Sequence, residues 1–127
     1  MQIGEVAERT DLSLRTIRYY EEVGLVVPSA RSQGGFRLYS EPDVDRLNLI
    51  KKMKPLGFQL EEMRDLLAVL DPAPGAAPLT DDQHAQLRQY CDTAEQRCAE
   101  LRAKLETAEQ FAVTLRKSLR RTRATAR

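Results

Sequence analysis

The residues whose chemistry is most informative are arginines and tyrosines near the beginning of the chain. Arg15, Arg18 and Tyr19 lie within two turns of a predicted helix, and Arg37 and Tyr39 follow in a predicted hairpin. A guanidinium group can donate two hydrogen bonds to a phosphate or a guanine base, and tyrosine combines a flat apolar ring with a hydroxyl. This combination predicts a surface that binds DNA.

Arg15, Arg18 and Tyr19 lie on the second helix of a predicted helix-turn-helix. Ile3, Val6 and Ala7 have helical spacing, residues 10–13 interrupt it, and Ser13 is well placed to cap the helix that follows. The apolar residues of that second helix are predicted to face inward. The helix itself is predicted to enter the major groove of DNA. The inward set is Leu14, Ile17 and either Tyr20 or Val23, and the outward set is Arg15, Thr16, Arg18 and Tyr19.

A β-hairpin is predicted over residues 31–39, with two adjacent glycines at its tip. Side chains alternate across a strand, so Phe36 and Leu38 share one face while Arg37 and Tyr39 share the other. The apolar pair is expected to join the core. Arg37 and Tyr39 are then left on the exposed face.

Two more helices complete a small predicted domain over residues 1–70. Ser40 and Asp43 have the spacing of a capped helix start, and a second helix is predicted from Glu61 to Leu70. The predicted apolar stripes are Val44, Leu47, Ile50 and Met53 or Lys54 in the first helix, and Met63, Leu66, Leu67 and Leu70 in the second.

The second half of the chain is predicted to be a linker and one long helix. Residues 71–79 contain three prolines and a glycine, so neither helix nor strand is expected to cross them. Residues 80–120 start with a capping-box pattern and then repeat apolar residues every seven positions, which indicates a coiled coil about 60 Å long. Residues 121–127 are predicted to form a basic tail. The coiled-coil seam consists of Leu87, Ala94, Leu101, Ala108 and Leu115, interleaved with Cys91, Cys98, Leu105, Ala112 and Leu119.

The long helix needs a partner, and the sequence contains no second long helix to supply one. We therefore expect a homodimer, either parallel or antiparallel. The sequence as a whole is predicted to be mainly α-helical, with a winged helix-turn-helix followed by a coiled-coil dimerisation helix.

Composition excludes several classes of protein. A chain of 127 residues with 42% hydrophobic content fits one small core plus one extended element. No apolar run approaches the roughly 18 residues of a membrane span, and no signal peptide is recognisable, so a cytoplasmic protein without a membrane partner is expected. The net charge is only +1, but arginines concentrate within residues 15–37. No nucleophile-and-base pair, phosphate loop or metal-ligand set stands out, and His84 fits a surface position, so neither an enzyme nor a cofactor nor a metal is expected.

Three segments follow one another in order: V-A-E-R-T-D-L-S-L-R-T-I-R-Y-Y-E-E-V-G-L, R-S-Q-G-G-F-R-L-Y-S and L-G-F-Q-L-E-E-M. Through them, residues 2–70 resemble the MerR family of bacterial transcription regulators. The resemblance implies a winged helix-turn-helix, an antiparallel dimerisation helix, and double-stranded operators in an overlong promoter spacer. Such regulators distort that DNA so that RNA polymerase can engage both promoter elements.

The resemblance also assigns roles to single residues. Arg15, Arg18 and Tyr19 match positions that meet bases or phosphates, and Arg37 and Tyr39 match wing residues that hold the DNA backbone. Arg31 and Lys54 match further phosphate contacts. Together with the outward-facing Thr16, the predicted DNA-binding set is Arg15, Thr16, Arg18, Tyr19, Arg31, Arg37, Tyr39 and Lys54.

The input signal is left open by the sequence. Metal and redox sensors of the resembled family place cysteines at the start of the dimerisation helix and in a loop after it, and neither feature is present here. Cys91 and Cys98 lie about 10 Å apart on one helical face, too far for a disulfide within one helix. They are expected either to pack as small hydrophobes in the seam or to sense oxidants, electrophiles or a thiophilic metal across the dimer. A coiled-coil protein-interaction module and a DNA-binding regulator without a sensor remain as alternatives.

Overall fold

The computed structural model of the chain describes residues 1–125 and is mainly helical, as predicted. It forms two compact units, Met1–Leu87 and a second one that begins at Arg88. A short 3₁₀ turn, Lys54–Leu56, follows the third helix. The elements are α1 (Ile3–Thr10), α2 (Leu14–Glu22), β1 (Ala30–Arg31), β2 (Arg37–Leu38), α3 (Glu41–Met53), α4 (Leu60–Leu70) and α5 (Asp81–Thr125).

Helices α1 and α2 form the predicted helix-turn-helix. The Ser13 hydroxyl accepts a hydrogen bond from the Thr16 main chain, which confirms the predicted cap. Ile17 and Tyr20 are buried, as expected, but Leu14 is half-exposed. A helix turns about 100° per residue, so Leu14 lies well away from a face centred between Ile17 and Tyr20.

Strands β1 and β2 form an antiparallel hairpin, which we call the wing together with its turn, residues 30–39. Ala30 pairs with Leu38, and the turn closes with a 2.9 Å hydrogen bond from the Gly35 nitrogen to the Ser32 carbonyl. Gly35 has a φ of +81°, a conformation that side chains rarely adopt. The wing is present as predicted.

The predicted faces of the wing are wrong. Phe36 is 65% exposed, whereas Tyr39 is 2% exposed. Only Arg37 and Leu38 lie in β2, so the alternation expected of a longer strand does not extend to the residues before and after it. Phe36 therefore belongs to the exposed turn, and Tyr39 enters the core.

Helix α3 supplies much of the core of the first unit. Its stripe of Val44, Leu47, Ile50 and Met53 is buried, whereas Lys54 is exposed. The Ser40–Asp43 capping box is present at its start. Polar contacts join this helix to α1: Arg9 contacts both carboxylate oxygens of Glu41 at 2.6 Å, and Lys51 donates to the Thr10 carbonyl at 2.8 Å.

Helix α4 buries Met63, Leu66 and Leu67, but Leu70, which was predicted to complete the stripe, is exposed at the last turn before the linker. Neither helix nor strand occurs between α4 and α5, as the prolines predicted. Thr80 and Gln83 then exchange two hydrogen bonds, which confirms the capping box at the start of α5. The domain boundaries assigned from the sequence stay predictions.

Helix α5 contains 45 residues and continues through residues 121–125, part of the segment predicted as a basic tail. Arg127, at the end of that segment, lies outside the described residues. In the single chain the large apolar residues of the second unit are exposed: Leu101, Leu105, Leu115 and Leu119 retain between 43% and 58% of their accessible surface. None of the helices in residues 1–125 combines the length and apolar composition needed to cross a membrane.

Candidate nucleic-acid interface

Helix α2 presents three of the predicted residues to solvent. Arg15, Arg18 and Tyr19 are exposed, and the Tyr19 ring leans on Tyr20, with the ring centroids 5.9 Å apart. Thr16 is half-buried, and its hydroxyl accepts a hydrogen bond from Ser13 at 2.8 Å. Thr16 therefore supports the start of the helix while the longer side chains project from it.

An open groove of about 390 Å³ runs beside this helix. Arg15 and Tyr19 line it from α2, and Lys54 lines it from the 3₁₀ turn. The structure thus brings together two cations that are distant in sequence. The remaining lining residues are Thr16, Tyr20, Phe58, Gln59, Leu60 and Met63.

A smaller cleft of about 130 Å³ separates α2 from the wing. Arg18 and Arg37 both line this cleft, and Phe36 lies beside them. The two guanidinium groups belong to the two elements that were predicted to contact DNA. An anion that entered here would meet positive charge from both elements.

Glu21 connects the same two elements, a role that its position in the sequence did not predict. One oxygen of its carboxylate accepts a short hydrogen bond from Arg37 Nε, and the other accepts a 3.0 Å hydrogen bond from the Tyr39 hydroxyl. Burial of the Tyr39 ring, together with the contact to Glu21, raises the pKa of that hydroxyl to about 12. Tyr39 is therefore not the exposed phenol that the predicted DNA-binding set assumed. An acidic residue within a basic surface was the only signal for Glu21 in the sequence.

Arg31 is exposed at the wing, and its guanidinium donates to the Gly35 carbonyl at 3.1 Å. Two other arginines hold the end of α2 instead of facing a ligand. Arg46 Nε donates to the Leu25 carbonyl and Arg64 Nη2 donates to the Val23 carbonyl, both at 2.6 Å. These contacts satisfy carbonyl groups at and just after the end of the helix.

The arginines of the first unit therefore fall into two groups. Arg9, Arg37, Arg46 and Arg64 form ion pairs with acidic side chains. Within residues 1–125, Arg15, Arg18 and Arg31 form none. On the recognition helix α2, Arg15 and Arg18 are therefore exposed guanidinium groups without an acidic partner.

Comparison with known families agrees with this arrangement. Residues 1–70 match the family described as "MerR HTH family regulatory protein", and residues 44–121 match the one described as "MerR, DNA binding". The chain belongs to the MerR family. The resemblance seen in the sequence is thereby confirmed.

Individual MerR relatives show how far the similarity extends. The mercuric resistance operon regulatory protein of Bacillus cereus is 47% identical over 70 residues, which cover 55% of this chain and 53% of that protein. The transcriptional regulator ZntR of Escherichia coli strain K12 is 44% identical over 72 residues, which cover 56% of this chain and 51% of that protein. The chain spans about half the length of these curated relatives. The crystal structure of PbrR691 from Ralstonia metallidurans CH34, solved with lead(II), is 32% identical to this chain in sequence. The match covers 92% of this chain and 86% of PbrR691, with a TM-score of 0.58.

The two cysteines of this MerR-family chain lie on α5 in the second unit. Both are free and exposed in the single chain. The Cys91 thiol lies 3.6 Å from a carboxylate oxygen of Glu95, and donation to that carboxylate raises the pKa of Cys91. No cluster of three or more His, Cys, Asp or Glu side chains suited to a metal occurs in the part of the chain that the structure describes, and His84 is exposed.

Proposed function

We propose that the chain binds double-stranded DNA as a homodimer and regulates transcription. The observation that carries this proposal is the pair of exposed, unpaired arginines on α2, Arg15 and Arg18, which project beside the wing of a MerR-family domain. Phosphate contacts fix the position of a protein on the duplex, and arginine contacts to base edges supply sequence preference.

In this mechanism α2 enters the major groove. Arg15 and Tyr19 reach base edges or nearby phosphates, and Lys54 neutralises a phosphate beside them, because all three line one groove. Arg18 and Arg37 meet the backbone at the cleft between α2 and the wing. Arg31 extends the positive surface of the wing.

Dimerisation is supported by the exposed seam of the second unit. Leu101, Leu105, Leu115 and Leu119 recur with coiled-coil spacing and are uncovered in the single chain. A second copy of α5 has the same repeat and would bury them. A symmetric dimer then requires an operator that is an inverted repeat, with a spacing set by the long helices.

The dimer is proposed to act at promoters in the cytoplasm, together with RNA polymerase. Distortion of the promoter spacer is the expected route to activation. The proposal assigns the chain no catalytic reaction and no resident cofactor.

The effector stays a separate question. One relative is named for mercuric resistance, and another was solved with lead(II). Those metals belong to those proteins. A thiol sensor built from Cys91 and Cys98 remains the alternative, although the raised pKa of Cys91 disfavours the reactive thiolate. A coiled-coil protein-interaction module would use the same seam, but it would have no need for Arg15 and Arg18.

The proposal is tested with duplexes selected from a random pool by the purified protein. Arg15→Ala should cost about 1–3 kcal/mol in binding and relax base preference, because it removes a contact to a base edge. Lys54→Ala should weaken all sequences alike and reduce the salt dependence by about one phosphate contact. Lys117→Ala, which removes a positive charge from an exposed position of α5, is the matched control. Equal affinities for all three variants and the wild type would contradict the assigned surface.

A further inference from the structure

We propose that Glu21 is a positioning residue that fixes the wing against the recognition helix α2, so that Arg18 and Arg37 face the DNA backbone together. The inference rests on the proposed function. The carboxylate is not itself a DNA contact, and it acts through the two wing residues that it binds.

The carboxylate divides its two oxygens between two wing side chains. Oε1 accepts from Arg37 Nε, and Oε2 accepts from the Tyr39 hydroxyl at 3.0 Å. The Glu21 side chain is only 15% exposed, so water competes weakly for these hydrogen bonds. Both oxygens therefore hold the wing to the helix that carries Arg15 and Arg18.

The wing needs such a tether because its own strands are short. Each strand contains two residues, and an isolated ribbon of this size is not stable in water. The base of the wing is fixed at Tyr39, which is buried and exchanges two main-chain hydrogen bonds with Met1, at 2.7 and 2.9 Å. Glu21 adds a link to α2 through Arg37, which lines the cleft together with Arg18.

The charge of Glu21 makes the proposal easy to distinguish from a simple electrostatic effect. A carboxylate beside a DNA-binding surface repels phosphate, so removing its charge should strengthen binding if charge alone mattered. If Glu21 positions the wing, removing its charge should weaken binding instead. The two explanations therefore predict changes in DNA affinity of opposite sign.

The experiment compares Glu21→Gln with Glu22→Gln on a duplex selected by the wild-type protein. Glu22 is the next residue of α2 and is exposed, so its variant makes the same change in charge without touching the wing. Dissociation constants are measured over a range of salt concentrations. Glu22→Gln should bind as well as the wild type or slightly more tightly. Glu21→Gln should bind about tenfold more weakly and with a salt slope smaller by about one, because Arg37 no longer stays at the backbone.

Tyr39→Phe provides a second test that leaves the formal charge unchanged. It removes one of the two hydrogen bonds of Glu21, and we expect a smaller loss of affinity in the same direction. Circular dichroism melting curves identify any variant that is unfolded at the binding temperature. If Glu21→Gln is unfolded, the Tyr39→Phe result decides.

The outcomes separate the two proposals. If the wild type selects no duplex, the proposed function fails and the positioning role fails with it. If the wild type binds, but Glu21→Gln behaves like Glu22→Gln or folded Tyr39→Phe binds like the wild type, only the positioning role of Glu21 is overturned.

Discussion

In the first unit most of the large apolar side chains are buried by other elements of the same chain, whereas in the second unit the large apolar residues of the seam are exposed. Ile17, Leu47 and Leu67 have no accessible surface, although they come from three different helices. Leu101 and Leu105, on α5, are about half-exposed. Both regions have helical apolar periodicity, so periodicity alone does not distinguish a core that is closed within one chain from a surface that a second chain must cover.

The two units also differ in how their charges are used. In the first unit, ion pairs and main-chain contacts join separate elements, as in Arg9 with Glu41 and Arg46 with Asp71. In the second unit, the contact between Cys91 and Glu95 joins neighbouring turns of one helix. The first unit can therefore fix the geometry of a binding surface, and the second is suited to hold two copies together.

The largest expected effect comes from placing a charge in the seam. Leu105→Asp should cost about 3–5 kcal/mol of dimerisation free energy, because the carboxylate would be buried without a partner in the dimer. Sedimentation velocity should show a monomer at concentrations where the wild type is a dimer. Ala103→Asp adds the same charge to the same helix outside the seam and should leave the dimer intact. A Leu105→Asp dimer as stable as the wild type would remove the distinction between the two units.

A cavity in the first unit should have the next largest effect. Leu47→Ala is expected to lower the free energy of unfolding of that unit by about 2–5 kcal/mol, because Leu47 is fully buried. The chain contains no tryptophan, so near-ultraviolet circular dichroism of tyrosine during urea unfolding is the measurement. Leu101→Ala, a chemically identical change in the seam, should leave the stability of the first unit unchanged. Equal losses of unfolding free energy from Leu47→Ala and Leu101→Ala would contradict the difference between the two units.

Loss of a helix cap should have a smaller effect. Ser13→Ala removes the acceptor for the Thr16 main chain and is expected to destabilise the first unit by about 1 kcal/mol. Ser118→Ala changes the same residue type within α5, where no cap is involved. Thermal unfolding is measured for both variants. A larger loss of stability for Ser118→Ala than for Ser13→Ala would contradict the stabilising role of the cap.

The smallest expected effect concerns the thiol of Cys91. Its pKa is raised chiefly because the thiol donates to Glu95, so less thiolate is present at any pH below that pKa. Glu95→Gln should lower the pKa, shift the pH profile of alkylation to lower pH, and raise the rate near neutral pH by a few-fold. The measurement is made with Cys98 replaced by serine, and Glu100→Gln serves as the control. An unchanged profile would show that the contact with Glu95 does not control the thiol.

The sequence predicts the local features of the fold well. Ser13, Ser40 and Thr80 cap the helices that they were expected to cap, because capping depends on residues three positions apart. The buried stripe of α3 follows in the same way from helical spacing. Exposure of Arg15 and Arg18 follows from the apolar face of α2.

Contacts between distant elements could not be predicted in this way. Nothing local to Glu21 indicates that it binds Arg37 and Tyr39, and the exchange of faces between Phe36 and Tyr39 depends on how short the strands are. These features are set by tertiary packing. They also decide which members of the predicted DNA-binding set remain available to DNA.

The most direct test of a symmetric DNA-binding dimer is a footprint of the wild type and Leu105→Asp on the selected duplex. We expect the enriched duplexes to contain an inverted repeat, the wild type to protect both halves together, and Leu105→Asp to protect neither at the same concentration. A single protected half-site that both proteins bind equally, or a selection without enrichment, would contradict this expectation.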